Sequence, residues 1–316
     1  MSRLLGVTLG VLADAVFGDP KSHHPVAGFG AVASRIERAL YADSTARGAC
    51  YTGVTIALVA MVGVTAERAS RRLPLAHTLV TAAATWAALG ARSLVTEGTV
   101  MADRLESGNL DSARAQLSNL CGRRPDDLDA SELARATVES LAENANDAVV
   151  CTLFWGAVAG VPGVLIHRAV NTLDAMVGHR NSRYARFGTA SARLDDALAW
   201  LPARLTGVIA CLMAPLVGGS TPGGLRALHR DHANHPSPNG GWCESAWAGA
   251  LGVRLGGTNI YGDRTEVRGT LGDADAPRPD AQALRQASAL VAWVTAAAAM
   301  LTALATLPAE LSKGTS

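Results

Sequence analysis

The sequence predicts an all-α, polytopic integral membrane protein of about five to six apolar helices, with polar helical and loop segments between them. Three observations carry that expectation. Hydrophobic residues make up 49% of the 316 and charged residues only 17%, against about a quarter charged in an ordinary soluble domain. Five stretches without Asp, Glu, Lys or Arg, at 48–66, 73–91, 148–166, 205–225 and 286–309, each approach the roughly 20 residues needed to cross about 30 Å of hydrocarbon. No run shows the apolar–polar alternation of a half-buried strand. A soluble helical protein with unusually apolar core helices is the alternative, because the spans are Ala-rich and the mean hydropathy is only +0.18.

The elements follow in order. Residues 4–18 form a shorter apolar segment carrying Asp14; with a single Arg in front and no small-residue cleavage site behind, it reads as a first helix rather than a removed signal. Next comes GDPKSHHPVAGFG (18–30). Pro20 and Pro25 fix two bends there and bias Asp19 and His24 away from helix, so both sit on a rigid turn, either an ordinary exit turn or part of a site. Gly28, Gly30 and Ala33 superficially match a dinucleotide fingerprint, but no strand precedes them and no βαβ unit follows. Residues 92–147 make a longer connection whose 106–129 part reads as water-exposed helix pairs broken at Arg124-Pro125. Segments 167–204 and 226–285 are the remaining polar blocks, the last rich in Gly, Pro and Asp and hence loop-dominated.

Charge and composition exclude several functions. A net charge of +1 offers no single-sign field for nucleic acid. Lys21 and Lys313 are the only lysines, and no Gly-Lys-Ser/Thr tripeptide exists, so a nucleotide is not held by a Walker A loop. Five scattered cysteines without a C-x-x-C read as small core residues in a reducing compartment.

The chemistry concentrates in ESLAENANDAVV (139–150) and the polar segment after it. On a continuous helix Glu139, Glu143 and Asp147 recur at i, i+4 and i+8, lining three carboxylates on one face. Each like-charge pair costs roughly 0.2–0.5 kcal/mol in water and more at low dielectric, so a cation is expected opposite them. Either an Arg from another segment or a divalent ion, most plausibly Mg²⁺, would serve. Asn144 and Asn146 flank the row. Arg168, Asn171 and Asp174 then fall along one face, with His179, Arg180 and Arg183 beyond; planar guanidinium donors suit phosphate or carboxylate. Asp195 and Asp196 close that block. Farther on, His229, His232 and His235 spread over about 120° of a helix, too wide for one metal ion without help. Ser237-Pro238-Asn239-Gly240-Gly241 reads as a turn whose amides could form an anion-binding nest, with Trp242 and Glu244 at its rim.

Taken together, these strings resemble the cobinamide-phosphate synthase family of cobalamin biosynthesis, the CobD/CbiB type. GDP with HPV, ESLAEN with a downstream Asp, RAVNTLDAM with GHR, RYARFG, ARLDD and PARLTG, then SPNGGW with AGALGVRLGG and Tyr261 occur in that family's order over almost the whole chain. Ala175, Ala199, His167 and His179 depart from its usual residues beside these motifs. The resemblance implies one membrane-embedded synthase domain over 1–316 in the cytoplasmic membrane. It also implies ATP-dependent joining of adenosylcobyric acid to (R)-1-aminopropan-2-ol or its O-phosphate, with Mg²⁺ as cofactor and other membrane-associated cobalamin enzymes as possible partners. On that reading Glu139, Glu143 and Asp147 hold metal or act as general base, with Asp174 as second ligand or orienter. Asp19, His24, Asn144, Arg168, Asn171, Arg180, Asn239 and Glu244 bind substrates. A transporter, or a signalling protein of the same fold without catalysis, would also place polar residues at bilayer depth.

Overall fold

A computed structural model describes residues 1–20, 24–126, 128–179, 181–261 and 264–311. They form twelve helices: α1 (Ser2–Phe17), α2 (Pro25–Leu40), α3 (Thr45–Ser70), α4 (Pro74–Ala88), α5 (Ala91–Glu106), α6 (Leu110–Leu117), α7 (Ala130–Asn144), α8 (Cys151–Val177), α9 (Thr189–Met213), α10 (Thr221–Asp231), α11 (Gly240–Leu251) and α12 (Ala281–Leu311). A π-helical stretch, Ala145–Val150, links α7 to α8, and one antiparallel hairpin pairs β1 (Leu255–Tyr261) with β2 (Arg264–Leu271). Five helical runs are long and apolar enough to cross a membrane: Thr45–Ser70, Pro74–Glu106, Ala130–Val177, Thr189–Val217 and Ala281–Leu307. The protein is an all-α polytopic membrane protein. Its exposed faces agree: on α9, Leu201, Leu205, Val208 and Leu212 are all exposed at i, i+4, i+7 and i+11, an apolar stripe that suits lipid and not water.

The chain divides into two compact units, Met1–Gly90 with Asp147–Ala199 and Ala298–Ser316, and Ala91–Asn146 with Trp200–Ala297. In the first, α1 packs on α4 through glycines spaced by four. A Cβ on Gly6 would lie 2.5 Å from Thr81 Cβ, and one on Gly10 2.6 Å from Thr85 Cβ, the small-residue seam by which membrane helices approach closely. At 16 residues α1 is about 24 Å long, so its place rests on this contact and not on its own length.

The 148–166 span is interrupted. Gly160 adopts φ 65° and Pro162 lacks an N–H, so the backbone of α8 breaks there. Buried Glu67 on α3 repairs the break: its Oε2 accepts from Val161 N–H (3.1 Å), while Arg3, Arg71 and His77 lie 3.1, 3.2 and 3.4 Å from Oε1. One paired carboxylate thus satisfies the freed amide with protein groups. Val161, Val164, Ala84 and Ala88 form a core cluster beside the break, and Tyr51, Phe187, Leu173, Val177 and Ala33 form another in the same unit.

In the second unit α7 packs on α5 and α11, and α11 on α10, over buried Met101, Leu133, Leu141, Trp247, Leu255 and Leu284. Gly249 is in that seam, since a Cβ there would meet Gly223 O at 2.4 Å.

Two expectations need correction. The 226–285 block is not loop-dominated, because it holds α10, α11 and the hairpin. Its period-two pattern is disguised by Gly256 and Gly257 at φ 81° and 91°, where a register shift displaces the pairing. The 106–129 segment contains one short helix, α6, and not helix pairs. As expected, Gly28 to Ala33 lie inside α2 and form no nucleotide loop.

Gly10→Leu should overpack the α1–α4 seam, at a cost of at least the roughly 1–3 kcal/mol of a forced core insertion. Size-exclusion and melting of the detergent-purified protein should show a lowered Tm or loss of the monodisperse peak, whereas Leu9→Ala, at an exposed position, should match wild type.

Candidate functional site

The first cluster belongs to the first unit. His24 caps α2: its Nδ1 accepts from Val26 N–H (3.1 Å), which leaves the proton on Nε2, 3.5 Å from Asp19 Oδ1. The predicted turn residues therefore do meet. On α8, Arg168 Nη1 donates to Asn171 Oδ1 (3.3 Å), and Asn171 Nδ2 donates to Asp147 Oδ2 (3.2 Å). His167 Nε2 donates to the Asp147 carbonyl (2.9 Å) and pins the wide π-helical turn that presents this aspartate. Asp174 and Asp195 lie within electrostatic range of Asp147, of each other and of Asp196.

Three polar atoms in this cluster are buried without a hydrogen-bond partner among the described residues, His167 Nδ1, Arg168 Nε and Asp195 Oδ1. An unpaired buried donor costs about 1–3 kcal/mol, and native structures keep few of them. Arg168 also borders an apolar cavity of about 320 Å³ lined by Phe29, Leu58, Val62, Ala88 and Leu165. The guanidinium edge is thus desolvated and aimed at no protein acceptor.

The second cluster belongs to the second unit and holds Glu139 and Glu143 in separate surroundings. Glu139 and Glu143 meet different partners, and the π-helical stretch after Asn144 interrupts the i, i+4 spacing on which the expected row with Asp147 rests. Glu139 is wholly buried between Arg123 and Arg135, and its Oε1 also accepts from Arg135 Nη1 (3.1 Å) and Gly256 N–H (2.8 Å). Arg135 in turn donates to Gly256 O and Asn259 Oδ1. Glu139 is a structural ion pair that ties α7 to the hairpin.

Glu143 instead faces residues on the 235–244 segment. His235 Nε2 stands 3.1 Å from Glu244 Oε1 and 3.9 Å from Glu143 Oε1, and Arg268 Nη1 reaches His235 Nε2 (2.8 Å) and Glu244 Oε1 (3.4 Å). Burial pushes the Glu244 carboxyl up to about 8, with the Glu139 charge adding to it against the pull of Arg268 and Arg123. Burial likewise holds the His235 imidazole below its usual value.

Other predicted residues have local roles. Asn144 donates back to Ser140 O (2.9 Å), and Asn146 Oδ1 accepts from Thr206 (3.1 Å). Asn239 does not sit in an open anion nest: Ser237 Oγ accepts from the Asn239 and Gly240 amides (3.3 and 3.0 Å), and Arg204 donates to Asn239 Oδ1 (3.1 Å). Glu244 is fully buried and not at a rim. Of the histidine trio only His235 joins a cluster; His232 stacks on Trp242. Arg180 lies outside the described residues. Sequence reasoning missed Arg268, on a strand it did not foresee, and Arg123 and Arg135 as partners of Glu139. The i, i+4 spacing of Arg135 and Glu139 was the available signal for the last pair.

A family model described as CobD/Cbib protein matches residues 7–291. The chain is 48% identical to the cobalamin biosynthesis protein CobD of Mycobacterium tuberculosis strain H37Rv over 95% of both chains. To the CobD of Geobacter metallireducens it is 43% identical over 84% of this chain and 86% of that one. To the CobD of Chromobacterium violaceum it is 38% identical over 96% and 98%. No solved structure matches. A family match over most of the length, joined to relatives this similar end to end, makes this chain a member of the CobD/Cbib family.

Proposed function

We propose that this chain works in cobalamin biosynthesis as a carbon–nitrogen ligase of the cytoplasmic membrane. It would join the free carboxyl of adenosylcobyric acid to (R)-1-aminopropan-2-ol or its O-phosphate and consume ATP. The observation that carries the reading is Arg168, a half-buried side chain whose Nε–H is buried and unpaired, flanked by Asn171, Asp147 and Asp174. Such an edge is built for an anion, and carboxylate and phosphate are the two anions this reaction brings together.

Bound with ATP, Mg²⁺ would screen phosphate charge while the corrinoid carboxyl is activated. It needs only one or two protein carboxylates, because substrate phosphates complete its shell; Asp147, Asp174, Asp195 and Asp196 offer oxygen donors alone and fit that demand. Arg168 Nε holds the anion in a water-poor site, where fixed donors stabilise developing charge most, while Nη1 stays on Asn171. Asn171 fixes the guanidinium relative to Asp147. Asp174 takes the proton that the attacking ammonium must lose. Asp19 and His24 supply a further acceptor and donor at the entrance to α2. Other membrane-associated cobalamin enzymes are the natural partners for handing over a ligand as large as the corrinoid.

Transport is the second reading, favoured by the break at Gly160 and Pro162, which resembles the discontinuous helices of transporters. Glu67 closes that break with protein groups, so its amide is not offered to an ion or substrate.

Arg168→Lys should keep the charge and lose the planar fork. Turnover should fall on the order of 10²–10³-fold, the usual loss for one fixed transition-state donor, with the melting profile unchanged; wild-type turnover would remove Arg168 from the chemistry. Deleting the gene should create a cobalamin requirement met by cobinamide but not by cobyric acid. Growth on cobyric acid alone would sink the ligase reading, whereas correction by a high concentration of either corrinoid would point to transport.

A further inference from the structure

Glu143, His235 and Glu244 come from α7, from the segment before α11 and from α11 itself. Among the described residues they are the one group whose three side-chain donors all lie within 4.8 Å of one another. Two independent features mark the spot as more than an ion pair. Glu244 is fully buried and its Oε2 has no hydrogen-bond partner. Gly240 borders the trio so closely that a Cβ there would stand 2.7 Å from Glu143 Oε1 and 2.8 Å from His235 Cε1, so the backbone leaves open the space between those two donors.

We propose that Glu143, His235 and Glu244 bind one divalent transition-metal ion of the Mn²⁺, Fe²⁺ or Zn²⁺ class. An imidazole nitrogen beside two carboxylates suits these ions, whereas Mg²⁺ prefers oxygen throughout. His235 Nε2 lies 2.8 Å from Arg268 Nη1, and a guanidinium can only donate, so that contact calls for a lone pair on Nε2 of the kind an ion can take; Nδ1 is held by the Ser237 backbone, whose amide lies at 3.1 Å and carbonyl at 3.4 Å. Arg268 supplies positive charge to the same atoms, but one guanidinium shared with Glu266 (2.8 Å) faces two carboxylates, and an ion would take its place beside Nε2. The bound ion ties α7 to α11, and it is distinct from the oxygen-only aspartates of the first unit to which Mg²⁺ with ATP is assigned.

The test uses the full chain in detergent, stripped with chelator and titrated with Mn²⁺ in the absence of ATP and substrates. One equivalent should bind, Zn²⁺ should compete, and a large excess of Mg²⁺ should not. Electron spin-echo spectroscopy of the wild-type Mn²⁺ complex should show ¹⁴N coupling from one imidazole, a readout that needs no variant. His235→Ala and Glu143→Gln, each checked for an unchanged melting profile, should bind at least 10-fold more weakly. Absence of nitrogen coupling in the wild type, or unchanged affinity in both folded variants, would overturn the site. Metal binding without ligase turnover would sink the ligase reading and leave the metal site standing.

Discussion

A charge buried in apolar protein must be neutralised where it sits, and the rest of this structure is arranged around that constraint. Taking an ion out of water costs several kcal/mol unless partners replace the lost hydration. The chain meets the demand with multiple partners at each structural acid. Glu67 has Arg3, Arg71, His77 and the Val161 amide. Glu139 has Arg123, Arg135 and the Gly256 amide. Glu37 has Arg183 and Tyr184. These three acids do architectural work: one repairs a broken helix, one joins a helix to the hairpin, and one ties α2 to the segment after α8.

Two clusters leave polar atoms unsatisfied beside several acids. Arg168 Nε, Asp195 Oδ1 and Glu244 Oε2 are buried without a hydrogen-bond partner among the described residues, and each belongs to a cluster dense in acids. Four neighbouring aspartates around a guanidinium repel one another and lower the cost of admitting a cation that carries phosphate. A Glu–His–Glu trio offers a different donor set, with one nitrogen, and hence a different ion. The two clusters belong to different compact units and are built by different means, one on a π-helical turn and a broken helix, the other on α7, α11 and a strand.

Much of this was legible in the sequence, because composition and charge-free length report membrane helices directly. The runs behind α3, α4, α8, α9 and α12 were visible, and so was the grouping of Arg168, Asn171 and Asp174. Asp19 and His24 were legible from their prolines. The expected row of Glu139, Glu143 and Asp147 assumes an unbroken α-helix, and the π-helical residues 145–150 were not legible in the spacing. The Glu139 pair was hidden for another reason: Arg123 and the Gly256 amide come from distant sequence. His235 was seen only as one of an evenly spaced trio, and its true partners, Glu143 and Glu244, are brought in by the packing of α11 on α7. The hairpin was missed because its two glycine residues at positive φ interrupt the alternation that identifies strands.

The central claim is that the Arg168 guanidinium and its aspartates serve ATP-driven amide formation. The most direct measurement gives the purified chain ATP, Mg²⁺ and adenosylcobyric acid with either amine, and follows ATP consumption and the corrinoid mass together. The account predicts that ATP is consumed only when corrinoid and amine are both present, and that the corrinoid gains the mass of the amine less one water for each amide formed. ATP turnover that ignores either substrate, or an unchanged corrinoid mass with both amines, would contradict it.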